Sequence, residues 1–184
     1  MENLSFIVRT TAVGGHDLTK MLEEIPPLVV LADRDHDAMG NFLKAITFTD
    51  GPCVHLEDDV ILCDNFFERI SSIIADHPND VIQFFSMRKD DLTIGTRYIP
   101  GSQFMMNQCF YLPEGMGKEI AEFWKTSPRQ KEAAAPYDLL MADYFKTHRI
   151  KYLNWCPNLV DHEVCKSRID PRRSSKRQSL TFIK

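Results

Sequence analysis

Short apolar runs alternate with amphipathic stretches along the chain. Residues 4–10 (LSFIVRT) and 28–32 (LVVLA) are apolar and β-branched, and polar residues follow each; they predict two buried strands. Between them Gly14-Gly15 marks a loop, Asp17 caps a helix over 18–24, and Pro26-Pro27 ends it. From 38 to 48 apolar side chains recur at Met39, Phe42, Leu43 and Ile46, the spacing of a helix with Asp37 at its N-cap. A third strand over 53–56, a helix over 66–75, a turn over 76–80 and a fourth strand over 81–85 follow. Residues 104–112 read as a strand and 113–124 as a helix opened by Pro113 and Gly115. A helix over 136–147 has an apolar stripe at Leu139, Leu140, Tyr144 and Phe145, and 150–155 is a last strand. The glycine-punctuated stretch 88–103 reads as a connection or lid, and the charged 127–135 as a linker. This alternation predicts an α/β domain built on a Rossmann-like sheet, mixed but mostly parallel and flanked by helices.

The third strand ends in three consecutive carboxylates, Glu57, Asp58 and Asp59, and a second apolar run, 60–63, follows. Alternation along a strand puts Glu57 and Asp59 on one side and Asp58 on the other. Two convergent carboxylates raise each other's proton affinity unless a cation lies between them. Mg2+ or Mn2+ suits such hard oxygen donors and leaves positions for substrate phosphates. Apolar flanks argue against an open surface loop and for the carboxyl end of a central strand, where open α/β sheets hold ligands. His162, at the end of PNLVDH (157–162), is the candidate nitrogen ligand. His16, His36, His77 and His148 have no comparable setting; His55 shares the side of Glu57 and Asp59 and is a candidate for support.

At 184 residues, with 43% hydrophobic and 26% charged side chains, the chain has the length and composition of one ordinary globular domain. No run approaches the ~18 apolar residues of a membrane span, and residues 1–10 lack the layout of a signal peptide, so the expected location is cytoplasmic. Cys53, Cys63, Cys109, Cys156 and Cys165 form no CxxC pair and read as reduced core thiols rather than a zinc site. The net charge of −4 hides an asymmetry: 166–184 carries seven basic residues against one acid, which leaves about −10 on the rest. A basic tail on an acidic body suggests a polyanionic ligand near the C-terminus.

Four stretches together carry a resemblance: Asp33 to Gly40 with Asn41 and Lys44, HLEDDVILCDNF (55–66), NQCFYLP (107–113) and PNLVDH. They resemble the small glycosyltransferases of bacteriophages, which are similar in turn to lipopolysaccharide-type glycosyltransferases with the GT-A fold. The likeness extends to about residue 167 and implies a GT-A-like domain over 1–165 followed by a basic tail over 166–184. It implies a metal-dependent enzyme that moves a sugar from a nucleotide-sugar donor, such as a UDP-sugar, to an acceptor hydroxyl. In that pattern Asp59 would hold Mn2+ or Mg2+, Glu57 would contact the metal or the ribose, His162 would complete the metal shell, and Asp58 would stand between them. Arg9, Thr10 and Thr11 lie where the nucleoside is expected and Asp33 where base or ribose contacts are common, while Asn41 and Lys44 would face the nucleotide from the helix behind. The sequence departs from the pattern at Asp161, where a neutral residue is usual, and at Cys165-Lys166-Ser167, where a serine pair is; Lys166 and Ser167 are left as the pyrophosphate contacts.

Sugar transfer builds negative charge on the departing diphosphate, which a metal neutralises, and needs a base for the incoming hydroxyl. Asp138, at the start of a helix, is the candidate base, with an N-cap as its alternative role. The phage relatives modify hydroxymethylated pyrimidines in DNA, and the basic tail could hold a phosphate backbone by counterion release; a cell-envelope saccharide is the competing acceptor. Two other classes stay open. One is nucleotidyl transfer, for which TAVGGH (11–16) is a poor glycine-rich loop; the other is a non-catalytic nucleic-acid-binding module.

Overall fold

In the computed structural model, residues 4–11, 16–132, 137–164 and 177–184 are described. Strand β1 (Ser5–Thr11) runs parallel to both its neighbours, β2 (Leu28–Asp33) and β3 (Cys53–Glu57). Beyond β3 lie β7 (Cys109–Leu112), β5 (Val81–Gln83), β8 (Lys151–Asn154) and the edge strand β6 (Arg97–Pro100), giving a seven-stranded sheet in the order β2-β1-β3-β7-β5-β8-β6. Only β7 and β6 run against the other five. The carboxyl ends of β1, β2, β3, β5 and β8 therefore share one edge. The sheet is mixed and mostly parallel, as expected, and compatible with a Rossmann-like fold.

Period-2 alternation in the central strands divides the apolar side chains between two cores. Val54, Leu56, Cys109, Tyr111, Ile82 and Leu153 point into one, which α3 (Phe66–Asp76) covers with Phe66, Ile70, Ile73 and Ile74. Phe110, Leu112, Val81 and Tyr152 point into the other, beneath α2 (Ala38–Ile46), α5 (Met116–Thr126) and α6 (Tyr137–Thr147). Phe104 is the hub of the second core: it is fully buried, with the rings of Phe110, Phe145 and Tyr152 edge-on at 6.0, 5.2 and 5.0 Å. Asp37 caps α2 as expected, accepting from Gly40 N at 2.9 Å. Asp17 accepts from Thr19 N at 2.9 Å just before α1 (Thr19–Glu24).

Three sequence expectations change. Residues 104–108 are not strand: β7 has partners only where it faces β3 and β5, and the preceding chain turns inward at Phe104 and passes through a left-handed Met106. The supposed lid, 88–103, forms the short α4 (Asp91–Ile94), the edge strand β6 and a 3-10 turn, Gly101–Gln103. Buried Asp91 ties it down, meeting Arg97 at 2.8 Å and Asn154 at 3.0 Å. The carboxylate triplet, finally, is not continuous strand. β3 stops at Glu57, and Asp58-Asp59 turn the chain into β4 (Val60–Leu62), which pairs antiparallel with β9 (Val160–His162) as a separate two-stranded ribbon.

Of the expected linker, 127–132 holds a 3-10 turn and 133–135 lie outside the described residues, as do Gly14-Gly15. Cys53, Cys63 and Cys109 are buried free thiols, Cys156 is half-buried and free, and Cys165 is outside the described residues. Among the described residues no helix is long and apolar enough to cross a membrane.

Candidate functional site

The β4–β9 ribbon sets the geometry. Its register pairs Val60 with His162, and the ladder continues one step as Glu163 N donates to Asp59 O at 2.8 Å. Two residues 103 positions apart in sequence are thereby forced together: His162 Nε2 lies 2.9 Å from Asp59 Oδ2. The imidazole is buried, and its Nδ1 donates to the Glu163 carbonyl at 2.5 Å, which turns Nε2 toward the carboxylate. Arg177 Nη2 faces the same oxygen at 3.9 Å. Burial works against ionising either partner. For Asp59 it is outweighed by His162, with help from Arg177 and His16, so its carboxyl sits below the usual range. For His162 it is outweighed by Asp59, so its ring sits above the usual range.

Glu57, the last residue of β3, occupies a second, more enclosed part of the site. Its Oε1 accepts from the Tyr137 hydroxyl at 2.6 Å and from Arg9 Nη2 at 3.4 Å. The Arg9 guanidinium lies beside two rings that stack on each other, 5.2 Å from the centre of Phe42 and 4.8 Å from that of Tyr137, and Nη2 also donates to Asn107 O at 3.0 Å. Burial raises the Glu57 carboxyl above its usual range; Arg9 opposes the shift and the charge of Asp59 adds to it. Burial and the Glu57 charge push the Tyr137 hydroxyl well above its usual range. Tyr137→Phe keeps the ring against Arg9 and removes one donor from a buried carboxylate. It is expected to cost about 1–3 kcal/mol of stability, measured by denaturant unfolding.

Asp58 faces a third way. Its Oδ2 accepts from Thr10 Oγ1 at 2.6 Å and from His16 N at 3.4 Å, so it ties the end of β1 to the turn. His16, without a distinguishing setting in the sequence, closes the group: its Nδ1 lies 2.7 Å from Oε2 of Glu163, the residue that follows β9.

Other sequence candidates sit farther out. Asp33 is the register partner of Thr11, but its Oδ1 accepts from Asp35 N at 3.3 Å and Asp37 N at 3.0 Å, holding the β2–α2 turn. Asn41 Nδ2 reaches the Leu31 carbonyl at 3.5 Å, and exposed Lys44 lies 3.9 Å from Asp35. Asp138 is in the first turn of α6, accepting from Leu139 N at 3.0 Å, one residue from Tyr137. His55 belongs to the core: its ring stacks on Phe110 at 4.8 Å, and burial, with Arg9 nearby, pushes it down to about 3. Lys166 and Ser167 lie outside the described residues.

Comparison with known proteins matches the chain to no family model and to no curated protein. The site is therefore read from its own chemistry. Among the described residues no three His, Cys, Asp or Glu side chains form a metal-holding group. Asp59 and His162 still offer a carboxylate oxygen and an imidazole nitrogen at one point, a donor pair that fits an open Mn2+ or Mg2+ site whose other positions go to phosphate and water. Neither of two cavities of about 410 and 420 Å3 is lined by Glu57, Asp59 or His162.

The Asp59–His162 pair makes stability depend on pH with a definite sign. Asp59, lowered from 3.8, contributes fully above about pH 3.8 and less as pH falls through its folded value. His162, raised from 6.5, contributes fully below about pH 6.5 and less as pH rises through its folded value. Thermal melts of metal-free wild type and Asp59→Asn are expected to differ most between these limits and to converge on either side.

Proposed function

We propose that this protein is a metal-dependent glycosyltransferase of GT-A type, moving a sugar from a nucleotide-sugar donor, of which a UDP-sugar is the first choice, to an acceptor hydroxyl. The observation that carries the reading is the meeting of His162 Nε2 with Asp59 Oδ2 at 2.9 Å, at the carboxyl edge of the sheet where β1 and β3 end. It is the pair to which the sequence resemblance assigns the metal. In this reading Asp59 and His162 hold Mn2+ or Mg2+, and the bound ion supplies positive charge to the departing diphosphate. Arg177 adds a fixed cation beside Asp59. Glu57, held by Tyr137 and Arg9, presents an oriented carboxylate for a donor hydroxyl, and Thr10 and Thr11 flank the nucleoside. Asp138 is the proposed base for the acceptor. DNA bearing hydroxymethylated pyrimidines and a saccharide are its two candidate acceptors.

The test is a screen of nucleotide diphosphates and nucleotide sugars for Mn2+-dependent thermal stabilisation, since a ligand that binds only the folded state raises its melting temperature. One donor class is expected to shift the melt with the metal and not without it, and turnover is expected to release a nucleoside diphosphate. Release of pyrophosphate would assign the protein to nucleotidyl transfer instead, and no metal-dependent shift with any nucleotide would overturn the reading.

A further inference from the structure

The β3–β7 ladder runs one step past its last strand pair. Leu56 faces Cys109, and beyond them Glu57 N donates to Gln108 O at 2.9 Å, so Gln108 stands opposite Glu57. Side chains two residues apart share a face of a strand, and two residues back into this ladder the His55 and Phe110 rings stack at 4.8 Å. Gln108 therefore lies on the face of Glu57. Arg9, the register partner of Glu57 on β1, reaches the same carboxylate at 3.4 Å from the other side. Arg9, Glu57 and Gln108 thus form one row across three neighbouring chains at the carboxyl edge of the sheet.

The row is unevenly satisfied. Glu57 has Tyr137 and Arg9, but Gln108 is 6% exposed and its Oε1 is buried with no hydrogen-bond partner among the described residues. On the other side of Glu57, Arg9 Nε is buried and equally without a partner there, and neither amide atom of Asn107, 1% exposed, has one. The backbone that carries these amides is pinned, since Asn107 O accepts from Arg9 Nη2 and Gln108 O from Glu57 N. A buried amide oxygen costs free energy until something donates to it, so a folded chain keeps one where a ligand or an ordered water completes it. The Glu57 side chain is 17% exposed, and the row meets solvent there. A hydroxyl suits the row, because it donates to an oxygen and accepts from an N–H at once. A carboxylate does not, because two acceptor oxygens, one of them charged, already face it. We infer that Gln108 is a specificity-determining residue for the transferred sugar, taking with Glu57 the hydroxyls of a neutral hexose and turning away a hexuronic acid. This rests on the transferase reading, in which the nucleoside lies at Thr10 and Thr11 on β1 and the diphosphate at Asp59, just after β3. The next strand in the sheet is β7, so the sugar beyond the diphosphate arrives at Gln108.

Titration calorimetry of the full chain with Mn2+ and UDP, UDP-glucose, UDP-galactose or UDP-glucuronic acid tests this in wild type, Gln108→Met and Gln108→Asn, each also melted without ligand. Wild type is expected to bind one of the two neutral sugar nucleotides about tenfold more tightly than UDP, and UDP-glucuronic acid no more tightly than UDP. Gln108→Met keeps the length of the side chain and removes its polar atoms. It is expected to erase the preference, to leave UDP affinity unchanged and to keep or raise the melting temperature, since an unpartnered buried oxygen goes with it. Gln108→Asn, whose amide stops one methylene short, is expected to lose most of the preference too, and it decides the matter if Gln108→Met does not fold. A sugar preference equal in wild type and both variants overturns the inference, and a lowered melt with that preference intact shows the amide to be structural. A wild type that binds UDP but no neutral sugar nucleotide more tightly overturns it as well, with the metal and nucleotide reading still standing. Absence of Mn2+-dependent UDP binding in wild type removes UDP as the donor and this inference with it.

Discussion

Asp59→Asn is expected to remove Mn2+-dependent donor stabilisation and to lower transfer by on the order of 100- to 1,000-fold, the cost of losing one preorganised charge at a reacting centre. The substitution is close to isosteric. It keeps an oxygen near His162 Nε2 and takes away only the negative charge that both His162 and Arg177 face. His162→Ala is expected to have the same effect on the metal-dependent signal, but with an added loss of stability, because a buried ring whose Nδ1 holds the Glu163 carbonyl disappears with it. Melts with and without Mn2+ and UDP, alongside turnover assays, separate these contributions. A wild-type metal response retained in Asp59→Asn would rule out this pair as the metal site.

Phe104→Ala is expected to have the largest effect on folding, about 3–5 kcal/mol, with a fall in melting temperature on the order of 10 °C. Phe104 is 0% exposed and shares ring contacts with Phe110, Phe145 and Tyr152, which come from two strands and a helix. Three elements border the void that alanine would leave, so none can move in to fill it without breaking its own register. Denaturant unfolding measures the loss. A cost under about 1 kcal/mol would mean that this aromatic group repacks freely, contrary to the close packing of protein interiors.

Much of the fold was legible because its elements are long enough for their periodicity to speak. Residues 38–46 and 66–76 carry helical apolar spacing and became α2 and α3, and the runs at 4–10, 28–32 and 53–56 became the three neighbouring parallel strands. What failed was short or tertiary in origin. β6 has four residues with a proline at its end and shows no pattern of its own; its place is set by pairing with β8 and by the Asp91 contacts. Strand alternation puts Glu57 and Asp59 side by side, whereas the structure gives them separate partners, Tyr137 and Arg9 for the one and His162 for the other. A turn and a three-residue ribbon bring Asp59 to His162, and cross-chain register of that kind leaves no trace in local spacing. The helix-start pattern points to Asp138 and not to its neighbour Tyr137, since nothing in it says which side chain reaches Glu57. His16 was invisible for the same reason: its partners, Asp58 and Glu163, are 42 and 147 positions away.

The final residues bear on how the basic segment should be probed. Ser179 N donates to Asp161 Oδ1 at 2.6 Å and its hydroxyl meets Asn158 Oδ1 at 2.7 Å, so Asp161, the acid that departs from the expected pattern, is a mooring point for the C-terminus. Cutting the chain after Ser167 would strip these moorings, and Arg177 with them, from the two residues that precede and include the β9 end of the site. A truncated protein that lost DNA affinity or activity would then report damage to the centre as readily as loss of a tail. Charge reversals at Arg168, Arg172, Arg173 and Lys176, with 177–184 left intact, ask the same question without cutting the rope.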